Sequence, residues 1–167
     1  NEAKKTGHDS QYLENLAKEA GISILRGAEL KNAASHKERI ICLGSDTSKD
    51  NLKPAFDRQE GDTGLGEFVQ AGIDNLYAKY ADKGFFFMIE GGKIDNAGHD
   101  DDGITNFYEL NDFANCVDIV LAFYNQHPDE TLIVISADHE TGALMLGAGR
   151  YEMSPELLLS QKYSEGV

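Results

Sequence analysis

Basic charge is scarce in this chain. Against 29 Asp and Glu stand only 15 Lys and Arg, a net charge of −14 at pH 7. A phosphate backbone needs clustered Lys and Arg, so the composition argues against a general nucleic-acid binder. It leaves room for a small phosphorylated ligand, because a bound dication can reverse the local field. No apolar run approaches the ~20 residues that span a bilayer, so no transmembrane helix is expected. The chain opens Asn1-Glu2-Ala3-Lys4-Lys5, and no signal segment is expected in it. Cysteine is sparse. Cys42 and Cys116 sit in apolar surroundings and read as two buried thiols, with a disulfide between them as the alternative. There is no internal repeat and no low-complexity tract. What remains is 41% hydrophobic and 26% charged over 167 residues, enough for one domain, residues 1–167, with a real core.

Periodicity predicts helices alternating with strands. Asp9 or Ser10 can cap a helix with Tyr12, Leu13, Leu16, Ala17 and Ala20 on one face and Gly21 as its stop, after a frayed start at Asn1–Gly7. Ile22–Leu25 is predicted as a short strand, Ala28–Ala34 as one or two helical turns, and Arg39–Leu43 as a buried strand. Gly44–Thr63 is polar, contains Pro54 and reads as a long loop. A helix is expected from about Leu65 to Ala81, with Leu65, Phe68, Val69, Ile73, Leu76 and Tyr80 at helical spacing. Phe85–Ile89 reads as a strand. Asn106 and Glu109 resemble a capping box for a helix striped by Leu110, Phe113, Ala114, Val117, Val120, Leu121 and Tyr124, with Pro128 just past it. Leu132–Ile135 is a further strand, Ala143–Leu146 a short extra one, and Ser154-Pro155-Glu156 starts a last helix to about Lys162. The strands are apolar throughout. That is the pattern of an α/β fold with a mainly parallel sheet covered on both faces.

In such a sheet, ligands sit beyond the carboxyl ends of the strands. Glu90 directly follows one predicted strand, and Asp138-His139 follows another, which puts both groups on one edge. Gly91 and Gly92 let the backbone turn tightly. Asp95 and His99 then stand four residues apart, close enough for a carboxylate and an imidazole to share one metal ion. Zinc accepts both donor types at ~2.0–2.2 Å. Glu90, a hard oxygen donor, suits magnesium better. Each residue alone reads as an ordinary surface group. Together, at two strand ends, they point to a metal centre. His8, His36 and His127 have no such context and are expected at the surface. Asp100-Asp101-Asp102 is expected to be a solvated loop, with a counter-ion role near the metals as the sharper alternative.

The run Met88-Ile89-Glu90-Gly91-Gly92-Lys93-Ile94-Asp95-Asn96-Ala97-Gly98-His99, followed by Ser136-Ala137-Asp138-His139-Glu140-Thr141-Gly142, resembles the alkaline phosphatase family in residue type, order and separation. The resemblance extends over the helix between the motifs and, more loosely, over the region before Phe85. It implies a three-layer α/β/α sandwich with a mainly parallel sheet, here partial. It implies that Asp95 and His99 are ligands of a first zinc, Asp138 and His139 of a second, and Glu90 of magnesium. It implies phosphomonoester hydrolysis through a phosphoserine, with one zinc activating the serine and the other stabilising the leaving oxygen. It also implies a periplasmic or secreted homodimer.

The chain departs from that family pattern in four places. The nucleophile belongs to an Asp-Ser-Ala type motif. The sole Asp-Ser here is Asp9-Ser10, which reads as a helix cap. No histidine follows His139 to complete the first zinc, and no upstream Asp is recognisable as the magnesium-to-zinc bridge. Arg26, Arg39, Arg58 and Arg150 are not in the context of a phosphate clamp. The expectation is an interior piece of a phosphatase domain that supplies part of the metal site and is inactive alone. The alternatives are a metal-dependent phosphomutase of the same superfamily and a non-catalytic metal- or phosphate-binding module. An incomplete sheet is expected to expose edges and apolar surface.

Overall fold

The computed structural model describes residues 10–44, 52–142 and 155–165. Helix α1 (Ser10–Glu19) ends at Gly21, whose φ of 66° is the left-handed turn that glycine adopts without strain. Strands β1 (Ile22–Arg26) and β2 (Arg39–Leu43) follow and pair in parallel, with Ile22 opposite Arg39 and Arg26 opposite Leu43. Parallel neighbours need a crossover. The 3-10 helix Gly27–Ser35 supplies it.

Helix α2 (Leu65–Tyr80) is the centre of the packing. Glu67 accepts the Gly64 N–H at 2.9 Å and so satisfies one orphan donor at its start. One of its faces carries Ala71 against Leu25, Leu30 and Ala33, with Ile40, Cys42 and Phe68 around them. The other carries Val69 and Ile73 against Cys116, with Phe87, Ile89, Ile119 and Phe123 closing over them. Buried Asn75 donates to the Ala33 carbonyl at 2.7 Å and the His36 carbonyl at 3.1 Å, which ties α2 to the crossover. Helices α3 (Gly92–His99) and α4 (Gly103–Gln126) come next, and the short α5 (Pro155–Leu158) last. No helix among the described residues is long and apolar enough to cross a membrane.

The fold is α/β with a parallel pair, as expected, but several local expectations are corrected. Among the described residues, neither Phe85–Ile89 nor Leu132–Ile135 forms a strand, because no neighbouring segment pairs with either backbone. The first keeps a two-sided burial all the same. Phe85, Phe87 and Ile89 are half-buried on the helix side, whereas Phe86 and Met88 face solvent. Gly72 makes this fit possible: a Cβ there would stand 2.3 Å from the Phe87 ring.

Helix α4 is capped by Asp102, which accepts from the Thr105 N–H at 3.0 Å, and not by an Asn106–Glu109 box. Its buried line runs through Thr105, Glu109 and Cys116, so Leu110 and Leu121 of the expected stripe are exposed. The described half of the Gly44–Thr63 loop is organised around a 3-10 turn, Ala55–Asp57. Both thiols are free; Cys116 is buried and Cys42 half-buried. His36 and His127 are half-buried rather than exposed. His36 Nδ1 lies 2.8 Å from Glu38, and His127 packs at a tilt against both Tyr77 and Phe123, each ring centroid 4.7 Å away. The frayed start, the Asp9 cap, His8, Ala143–Leu146, Arg150 and Ser154 lie outside the described residues, and the last helix stops at Leu158 rather than Lys162.

Candidate metal centre

Gly91 and Gly92 turn the chain from the Phe85–Ile89 segment into α3. Along one face of α3, Asp95 and His99 are one helical turn apart. His99 Nε2 lies 3.5 Å from Asp95 Oδ2. The second pair comes from the segment after Leu132–Ile135. There His139 Nε2 lies 3.3 Å from Asp138 Oδ2, and His139 Nδ1 lies 3.0 Å from the Glu140 carbonyl. That carbonyl, with the Asp138 carboxylate next, raises the His139 imidazole above its usual pKa.

The two halves meet through glycine and threonine. A Cβ on Gly98 would stand 3.0 Å from the Thr141 carbonyl oxygen, and one on Gly142 would stand 2.0 Å from the Gly98 oxygen. Gly142 also has φ of 77°. Both positions therefore require glycine for the backbones to approach. Across this contact the Thr141 hydroxyl donates to Asp95 Oδ1 at 2.5 Å, over 46 residues of sequence, and lies 3.1 Å from His139 Nδ1. Thr141 was not singled out from the sequence. Its only signal was a hydroxyl two positions past His139 inside the second motif.

Glu90 is exposed and lines a cleft of about 450 Å³ between β2, α2 and residues 87–90, and its Oε1 would meet a Cβ on Gly92 at 3.2 Å. Among the described residues, no three Asp, Glu, His or Cys side chains gather into one metal-binding group. The structure thus brings the two Asp-His pairs to one contact and does not bring Glu90 into either. Donor chemistry fits a zinc-type ion at each pair. Two ligands at ~2.1 Å on a tetrahedral ion stand about 3.4 Å apart. The observed oxygen-to-nitrogen separations are 3.5 and 3.3 Å.

The acidic loop divides. Asp100 and Asp101 are exposed, but Asp102 is 7% exposed and fully engaged. Besides Thr105, it accepts from Gln161 Nε2 at 2.7 Å and the Glu165 N–H at 2.8 Å. It is a helix cap that also anchors residues 161–165, which corrects the solvated-loop reading at this one residue. Arg58 is likewise structural. It grips Asp112 with two hydrogen bonds of 3.0 and 2.6 Å beside buried Glu109.

A family profile described as Alkaline phosphatase matches residues 2–165. Alkaline phosphatase 4 of Bacillus subtilis (strain 168) is 35% identical over 112 residues, covering 66% of this chain and 24% of that protein. Alkaline phosphatase 3 of the same organism is 34% identical over 155 residues, covering 89% of this chain and 31% of that protein. Among solved structures, a cold-active alkaline phosphatase from a psychrophilic Shewanella sp. superposes with a TM-score of 0.73 at 30% identity, over 93% of this chain and 37% of that one. The chain thus spans about a quarter to a third of the length of these curated relatives.

Proposed function

Because the chain belongs to the alkaline phosphatase family, we propose that it supplies part of the metal centre of a phosphomonoesterase. In this reading Asp95 and His99 hold one zinc, Asp138 and His139 a second, and Glu90 a magnesium ion. The observation that supports it is the contact of Gly98 with Thr141 and Gly142, which sets two Asp-His pairs from distant parts of the chain side by side. The bound ions would supply Lewis-acid charge for the oxygens of a phosphate ester. The chain's own side chains fix the donors. Helix α3 holds Asp95 and His99 one turn apart, and the Asp138–Gly142 turn is pinned against its end. The same reading carries a phosphomonoester or inorganic phosphate as ligand, export to the periplasm or medium, and a homodimer.

Two donors are half of a tetrahedral zinc shell. The sequence has no Asp-Ser-Ala motif and no histidine after His139. The 167-residue chain by itself is therefore proposed to hold zinc weakly and to lack turnover. Titrating it with zinc against a chromogenic chelator tests the ligand assignment. Asp95→Ala, His99→Ala and Asp138→Ala should each weaken zinc uptake about tenfold or more. Unchanged uptake in all three overturns the assignment. Incubation with zinc, magnesium and a chromogenic phosphomonoester at alkaline pH should give no turnover. Rapid turnover would show a nucleophile elsewhere in the chain.

A further inference from the structure

We propose that Thr141 is the positioning residue that couples the two halves of this centre and, together with the Glu140 carbonyl, keeps the ring hydrogen of His139 on Nδ1 so that Nε2 is free to bind a cation; the inference rests on the metal-site reading above. A hydroxyl has one proton to donate. At 2.5 Å from Asp95 Oδ1, the Thr141 proton is committed to a carboxylate that can only accept. Toward His139 Nδ1, 3.1 Å away, the Thr141 oxygen is then an acceptor. The Glu140 carbonyl, 3.0 Å from the same nitrogen, also can only accept. Two acceptors around Nδ1 require that Nδ1 carry the ring hydrogen. In the neutral ring Nε2 is then a bare lone pair.

That lone pair faces Asp138 Oδ2 at 3.3 Å. Two acceptors this close repel unless positive charge lies between them. A proton or a metal ion fills that role, so the chain Asp95–Thr141–His139 turns Nε2 into the donor that an ion between His139 and Asp138 needs. One hydroxyl thus orients a carboxylate of the first pair and joins the Glu140 carbonyl in setting the tautomer of the imidazole in the second. The seat of Thr141 is built for this. A Cβ on Gly98 would press on Thr141 Cβ at 3.1 Å and Cγ2 at 3.2 Å, so the methyl group packs on bare helix backbone and aims the hydroxyl at Asp95.

The test compares Thr141→Val, which keeps shape and loses the hydroxyl, with Thr141→Ser, which keeps the hydroxyl. Circular dichroism first confirms that both retain the helical content of the native chain. Zinc titration should show Thr141→Val about tenfold or more weaker and Thr141→Ser within about twofold of native. Ring ¹⁵N shifts of His139 in the zinc-free chain, at a pH where the ring is neutral, should report Nδ1–H for native and Ser and a smaller Nδ1–H share for Val, in which the Glu140 carbonyl alone holds the ring hydrogen. Native zinc affinity together with a native tautomer in Thr141→Val overturns the proposal. So does a Thr141→Ser variant as weak as Thr141→Val. If Asp95→Ala and His139→Ala leave zinc binding unchanged, the metal-site reading itself fails, and the zinc-free ¹⁵N shifts still judge Thr141.

Discussion

Asp102 and Gly142 show how much rests on single residues beside the candidate centre. Asp102 is buried with a full set of donors on it: the Thr105 N–H and hydroxyl, Gln161 and the Glu165 N–H. Burial alone would raise its carboxyl, but those hydrogen bonds outweigh it and hold the group below the usual 3.8. A depressed carboxylate contributes stability above its unfolded pKa and loses it as pH falls through the folded one. Asp102→Ala should therefore lower unfolding free energy by about 2 kcal/mol near neutrality, from cap loss plus orphaned donors. The gap between native and variant in urea titrations should shrink as pH drops below 3.8. Gly142→Ala is expected to be worse than its size suggests. A left-handed backbone in a non-glycine residue costs of order 1–3 kcal/mol. Its Cβ would also stand 2.0 Å from the Gly98 oxygen. Thermal unfolding should fall, and zinc uptake with it, because the two half-sites are forced apart.

At the scale of elements, the 3-10 turn Ala55–Asp57 is tied to α4 by charge rather than by apolar packing alone. Glu109 accepts the Ala55 N–H at 2.6 Å, and Arg58 forms its two-pronged bond to Asp112, with side chains 14% and 17% exposed. Removing one partner of such a pair leaves a charge in a low-dielectric site. Arg58→Ala is expected to cost about 3 kcal/mol in denaturant unfolding. Arg58→Lys should recover little, since an ammonium cannot reproduce the planar fork. A recovery to native stability with lysine would reduce the interaction to simple charge. The opposite end of this turn, Asp57, accepts the Ser164 N–H at 3.2 Å, so the loop, α4 and residues 161–165 form one tied unit.

Across the described residues, several large apolar side chains stand in solvent. Phe86 is 88% exposed, Leu132 87% and Val134 78%, on segments with no paired strand among the described residues. Exposed apolar side chains of this size favour association. The chain is expected to self-associate as concentration rises and to enhance the fluorescence of an apolar dye. Phe86→Lys with Leu132→Lys should suppress both. Sedimentation velocity showing the same monomer for native chain and double variant at all concentrations would refute the idea.

The sequence by itself determined helices α1, α2 and α4, the two strands β1 and β2, and the family. Those depend on local periodicity, on glycine at turns and on motifs contiguous in the chain. Helix α2 begins at Leu65 as its spacing predicts, whereas helix α3, which sets Asp95 and His99 one turn apart, is a finding of the folded structure. Phe85–Ile89 also looked like a strand, because its residue types are those of a strand. Whether it becomes one depends on a neighbouring backbone, which residue type cannot report. The anchoring role of Asp102 hung on a segment more than fifty residues later, and the burial of Glu109 on the Ala55 turn. Thr141 is the clearest case. Its hydroxyl matters because Gly98 and Gly142 let two distant backbones touch, and that contact exists only once the chain is folded.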